Sequence, residues 1–160
     1  MGRQSRRSSS RYAVVVLVVA VVVPVASGIA GVTGAGAVPT KIVGAWNRNA
    51  TQANWNKYGS AGYPVGVWTM VIKKGGVVDL YTPGGYRPGC VAKQTCAFDF
   101  STSFTFAGAR LTVATVPVCA TKGAYGWKVS GRSLTLKVIA DKQCGPREAL
   151  FSGVWKRTGR

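Results

Sequence analysis

From Val65 onward the chain alternates apolar and polar residues with a period of two, and glycine breaks the alternation every few residues. Trp68-Thr69-Met70-Val71-Ile72 leads into Lys73-Lys74-Gly75-Gly76, and Val77-Val78-Asp79-Leu80-Tyr81 leads out to Pro83-Gly84-Gly85. Two alternating runs around a glycine-containing turn predict a β-hairpin. Two further hairpins follow one pattern at a constant offset of 23 residues, Phe104 to Val113 and Trp127 to Leu136. Each reads aromatic-x-apolar, a turn with Gly, then apolar-Thr-apolar. Side chains alternate across a strand, so Phe104, Phe106, Leu111 and Val113 share one face, as do Trp127, Val129, Leu134 and Leu136. Hairpins resemble one another in general, so the match argues for a meander and not for a duplication.

Helix has little room. Thr51 to Tyr58 is long enough for a turn or two, and Pro146 to Phe151 carries Pro at a first helical position with Gly153 as a stop. Gly153-Val154-Trp155-Lys156-Arg157 predicts a short final strand, and Gly84 to Cys96 one long basic loop. The count is about eight short strands. Such a meander closes most naturally into an all-β, antiparallel up-and-down barrel, with one short helix near the C-terminus; a β-sandwich is the competing architecture.

The first forty residues follow another rule. Arg3, Arg6, Arg7 and Arg11 precede an apolar stretch from Ala13 to Val23, and Ala35-Gly36-Ala37 supplies small residues at both positions a signal peptidase reads. A basic head, an apolar stretch and an A-x-A site predict a secretory signal peptide over residues 1–37, with the domain at 38–160. The alternative is a retained N-terminal anchor, since Ala13 to Thr40 is uncharged, although Pro24 and the glycines beyond it oppose a spanning helix. Expected localisation is therefore secreted or extracytoplasmic, with membrane contact only through an uncleaved leader.

Composition narrows the chemistry. The 160 residues hold 21 Lys and Arg against four acids, for a net charge of +17, and no histidine. The commonest general base and His-containing nucleophilic or zinc sites are thereby excluded. Four scattered carboxylates (Asp79, Asp99, Asp141, Glu148) make a poor basis for paired-carboxylate hydrolysis or a calcium cage. Neither an enzyme nor a cofactor or metal is expected. Four arginines belong to the leader, which leaves +13 on residues 38–160.

All four cysteines lie in that domain, and an even count in an exported chain predicts two disulfides. Cys90 and Cys96 stand too far apart for the usual zinc spacing. Their bond would close the basic loop. Cys119 and Cys144 follow equivalent hairpins, two residues apart in the 23-residue register, and so come to similar heights when those hairpins are neighbours.

Ile42-Val43-Gly44-Ala45-Trp46 carries a Gly-x-Trp sequence near the domain's start. Near its end stand Gly126-Trp127, Gly131, Leu134-Thr135-Leu136, Asp141, Cys144, Arg147, Leu150 and Gly153 to Arg157. The opening resembles that of lipocalin-type barrels, and the ending resembles that of small secreted bacterial lipocalin-like (calycin-type) proteins. Gly66-Val67-Trp68 and Gly153-Val154-Trp155 fit the same short sequence, and avidin-type barrels open similarly. The resemblance implies that Trp46 closes one end of the barrel with a cationic partner, Arg157 or Arg147, over its indole face.

Two functions of different class follow. The inward faces offer Trp68, Met70, Phe104, Phe106, Trp127 and Val129 as a lining for a small apolar ligand, because an eight-stranded barrel can hold one. The alternative is a filled barrel acting as a basic interaction module towards an anionic surface, polymer or protein, with the loop Gly84 to Cys96 as its working part. Aromatic and basic residues interleave in Asn54 to Tyr58 and Gly85-Tyr86-Arg87, but no nucleic-acid motif accompanies them and nucleic acid is not expected.

Overall fold

The computed structural model describes residues 36–60, 62–87, 90–93, 96–141 and 143–158. The expected leader falls outside these residues except for Gly36 and Ala37. Eight strands form the domain: β1 (Gly44–Ala50), β2 (Gly66–Ile72), β3 (Val77–Tyr81), β4 (Phe98–Ala107), β5 (Arg110–Val113), β6 (Gly123–Ser130), β7 (Ser133–Ala140) and β8 (Gly153–Arg157). Each pairs antiparallel with the next, and β8 returns to β1 through Trp46↔Arg157 and Asn47↔Lys156, so the sheet closes as an up-and-down barrel. Closure removes both sheet edges. The three expected hairpins are present at β2–β3, β4–β5 and β6–β7.

Among the described residues there are three short helices: the one predicted near the C-terminus, one in the Thr51 to Tyr58 segment given room for a turn or two, and one not anticipated. Helix α1 (Gln52–Lys57) starts at Thr51, whose hydroxyl accepts from the Asn54 amide while the Asn54 side chain accepts from the Thr51 N–H. That reciprocal cap satisfies two donors which a helix start otherwise leaves unpaired. Helix α2 (Cys90–Lys93) lies inside the segment expected to be all loop. Helix α3 (Gly145–Phe151) has Pro in its first turn, as anticipated, and buries Arg147, Ala149, Leu150 and Phe151.

One local device recurs in three neighbouring strands. β8, β1 and β2 each begin on Gly-x-Trp, with glycine φ values of 127°, 129° and 135°. In each, the indole Nε1–H donates to the carbonyl four residues back: Trp155 to Phe151 at 3.0 Å, Trp46 to Ile42 at 2.8 Å, and Trp68 to Pro64 at 3.0 Å. The glycine turns the chain sharply into the strand, which points the tryptophan inward and returns its N–H to the incoming backbone. A buried indole is stable only when that donor is paired. Here the motif carries its own partner, and all three tryptophans are at most 1% exposed.

Both barrel ends are covered. Where β1 begins, a 3₁₀ turn (Thr40–Ile42) sets Ile42 in the core, Val38 packs beside it, and the Gly36 N–H donates to the Phe106 carbonyl at 3.0 Å. At the opposite end α1 and α3 pack together, with Trp55, Leu150 and Phe151 buried in the same core. Arg48 points inward there and donates to the carbonyls of Ala149 (2.6 Å) and Leu150. Those carbonyls are orphaned by the helix end, and a cation also suits its negative dipole.

The corner glycines are set apart by space as well as by φ. A Cβ on Gly44 would lie 2.9 Å from Arg157 Nη1, on Gly66 2.9 Å from the Pro83 ring, and on Gly153 3.1 Å from Arg48 Nε. The turn glycines Gly108 and Gly131 also have positive φ but open space around them. Gly→Ala at a corner is therefore expected to cost about 2–4 kcal/mol and at either turn about 1–2 kcal/mol, as measured by urea unfolding.

Candidate functional site

Four of the six residues expected to line a ligand cavity are buried in the barrel core. Trp68 and Met70 are 1% and 0% exposed, and Phe104 and Phe106 are 3% and 4% exposed. A void able to hold a small molecule would leave accessible surface on its walls. These four side chains instead belong to one packed core with Trp46, Leu80, Leu111, Leu134, Leu136 and Trp155. Trp127 and Val129 are only half-buried and pack against that core from its margin. The Trp127 ring meets Phe106 edge-on at 5.6 Å, lies under the Lys41 ammonium at 5.1 Å, and donates to the Gly108 carbonyl. The six residues thus divide between the interior and the closed end.

The two arginines paired with Trp46 by the resemblance have separate places. Arg157 stands over the Trp46 ring, its guanidinium carbon 4.2 Å from the centroid. It donates to the carbonyls of Val43 (2.9 Å) and Lys41, which ties the last strand to the 3₁₀ turn. Arg147, by contrast, does not close this end. It is buried at the other end, on α3, where Nε and Nη2 donate to the two oxygens of Asp141. Its Nη1 donates to the carbonyls of Ala114 and Thr121, and Tyr125 donates its hydroxyl to the same Asp141.

This node is saturated. Each Arg147 side-chain nitrogen has a protein acceptor, and the Tyr125 proton is held by a carboxylate. Burial, the Asp141 hydrogen bond and the Asp141 charge together push the Tyr125 phenol well above the usual tyrosine range. Burial lowers the Arg147 pKa, but the contact with Asp141 outweighs it and leaves it raised. The arrangement ties the segment after β5 to α3, and the Cys119–Cys144 disulfide joins those same two parts. Cys90–Cys96 forms as expected around α2.

One exposed face is rich in cations, beside the exposed apolar Ile139 and Val154. Arg110 on β5, Lys128 on β6, Arg132 in the β6–β7 turn, Lys137 on β7 and Lys156 on β8 are all solvent-exposed. The registers Arg110↔Gly126 and Gly126↔Lys137 place two of these cations either side of a glycine, about 10 Å apart at the backbone from the ordinary strand spacing. Lys128 lies one outward position further along β6, and Lys156 donates to the Ser133 hydroxyl at 2.8 Å. Strands β5 to β8 contain no acidic residue. The Asp79 carboxylate is on β3, where the Lys73 ion pair (2.7 Å) and hydrogen bonds overcome burial and hold it below the usual carboxylate range.

Reading residue types along the sequence located the loop Gly84 to Cys96 but not this face, since its cations come from four strands and a turn and only the register joins them. A groove of about 880 Å³ adjoins it on the outside of β1 and β2. Among the described residues no helix is long and apolar enough to cross a membrane. No protein family matches the chain, and no curated protein or solved structure matches it.

Two outcomes are expected for the buried node. Arg147→Met strands a buried carboxylate and should cost about 3–5 kcal/mol in chemical denaturation, while Arg147→Met with Asp141→Leu should recover much of it. The raised Tyr125 pKa means that the folded state favours the neutral phenol. Stability from this group is full below the unfolded value near 10 and falls as pH rises beyond it, so Tyr125→Phe should flatten the loss of stability above about pH 10.

Proposed function

We propose that this chain is an exported, lipocalin-like barrel with a solid interior that binds an anionic polymer outside the cell through the outer face of β5 to β8. The observation that carries the reading is the set of five exposed cations, Arg110, Lys128, Lys137 and Lys156 on acid-free strands and Arg132 in the turn between two of them. Closely spaced like charges raise the local concentration of counter-ions, and a polyanion that replaces them gains their release entropy. The packing of Trp68, Met70, Phe104 and Phe106 favours this reading over an apolar ligand held inside the barrel. Export is supported by the leader pattern, and two disulfides suit an oxidising compartment.

The loop Gly84 to Cys96 has a supporting part. It brings Arg87 and Lys93 to the surface in the connection between β3 and β4, outside the four strands β5 to β8. A flat sheet face offers a polymer more contact than one loop does, and its cations are held in register by the hydrogen-bond ladder.

The test is the binding of residues 38–160, oxidised, to heparin across a salt series. Five contacts predict a log–log slope of about −3 to −4, so affinity should fall roughly 100-fold between 50 and 200 mM salt. Lys128→Ser with Lys137→Ser should make that slope shallower by about 1 to 1.5. Salt-independent binding, or stoichiometric uptake of an apolar dye with no heparin affinity, would overturn the reading in favour of an internal apolar site.

A further inference from the structure

The groove outside β1 and β2 is lined by Asn47, Val67, Thr69, Tyr86, Arg132 and Arg157, among others. Its volume, about 880 Å³, falls within the range of small-molecule sites, roughly 300–1,000 Å³. The floor belongs to one cross-strand row, Tyr81–Thr69–Asn47–Lys156–Ser133, so it is continuous with the basic face.

Its chemistry is one-sided. The Thr69 hydroxyl donates to Asn47 Oδ1 at 2.8 Å, which leaves the Asn47 amide nitrogen as a donor with no partner among the described residues. Arg132 is anchored through Nη2 to the Arg157 carbonyl at 3.1 Å, and Arg157 is itself fixed on Trp46. None of the four acids of the domain lines the groove. An aromatic wall completes it. The Tyr86 ring packs on Tyr81 at 5.3 Å, and Tyr81 packs on Phe98 at 5.8 Å, so Tyr86 is held from behind. Val67 is exposed beside it.

We infer that this groove binds an acidic saccharide, a uronic-acid unit of the anionic polymer, with its carboxylate towards Arg132 and a ring face against Tyr86. A sugar ring offers apolar C–H faces to an aromatic wall and hydroxyl oxygens to an amide donor. Sites for neutral sugars commonly set a carboxylate among their acceptors for hydroxyl protons. This groove has cations in place of a carboxylate, which selects an acidic ring. The inference rests on the polyanion reading above and adds to it a recognition element that charge alone does not supply.

The experiment is calorimetric titration of oxidised residues 38–160 with tri-galacturonate, its methyl ester and tripolyphosphate, alongside heparin affinity. Tri-galacturonate should bind at least tenfold more tightly than the ester or tripolyphosphate. Tyr86→Ala should weaken tri-galacturonate at least tenfold and leave the affinity for dextran sulfate, a polyanion without uronic acid, within twofold, while Tyr86→Phe keeps most of the binding. Asn47→Asp preserves the Thr69 contact and places a negative charge on the floor, so it should abolish tri-galacturonate binding without altering the unfolding midpoint by more than a few degrees. Tripolyphosphate binding as tightly as tri-galacturonate, with neither sensitive to Tyr86→Ala, would overturn the inference and leave a charge-only surface. Heparin binding with no measurable tri-galacturonate binding would also overturn it, and the polyanion reading would stand. Loss of heparin affinity in the unmodified protein would refute the broader reading separately.

Discussion

The architecture depends on the need to pair an indole N–H inside an apolar core. Trp46, Trp68 and Trp155 are too large to leave outside and carry a donor that cannot be left unsatisfied inside. Each is preceded by a glycine whose positive φ lets the chain double back, and each bonds the carbonyl four residues earlier. Because β8, β1 and β2 are neighbours, three such corners set the starts of adjacent strands and the seam where the barrel closes. The segments that supply the carbonyls, the 3₁₀ turn, the approach to β2 and the end of α3, are held at the barrel ends by the same bonds.

Covering both ends leaves the interior to side chains, and it also consumes charge. Arg48 and Arg157 are spent on backbone carbonyls at opposite ends, and Arg147 is spent on Asp141. Net charge therefore overstates the field that a partner meets on the surface, and it misplaces it. Among the cations that remain, Arg110, Lys128, Lys137 and Lys156 stand at outward positions of strands, where the ladder fixes their spacing. This division explains how one excess of arginine and lysine serves two ends: guanidinia at the barrel ends satisfy orphan acceptors, and exposed side chains form an acid-free face.

The two disulfides and the Tyr125–Asp141–Arg147 node belong to the same economy. The segment between β5 and β6 has only Val116 and Cys119 to bury, in a small cluster with Cys144 and Phe100. A covalent link and a buried ion pair with four acceptor contacts hold what so small an apolar cluster does not. Gly123 is part of the arrangement, since a Cβ there would come within 2.5 Å of Asp141 Oδ2.

Local pattern determined a good deal of this protein. Alternation around glycine turns located three hairpins, Pro146 and Gly153 bounded the last helix, and register between equivalent hairpins paired Cys119 with Cys144. These are properties of neighbours in the chain, and periodicity reports them. Tertiary structure decided the rest. Arg48 stands at an inward position of β1, where alternation accounts for its direction but not for its being tolerated; only the end of α3, about one hundred residues away, supplies its acceptors. Arg147 and Arg157 were equivalent candidates until the fold sent them to opposite ends. Whether inward aromatics enclose a ligand or fill the space depends on the helices that cover the barrel and on how the side chains interlock. The basic face and the groove beside it are likewise assembled from distant segments. Hydrophobic periodicity states which way a side chain points, but what it meets there depends on closure, because the partners are brought together only when β8 returns to β1.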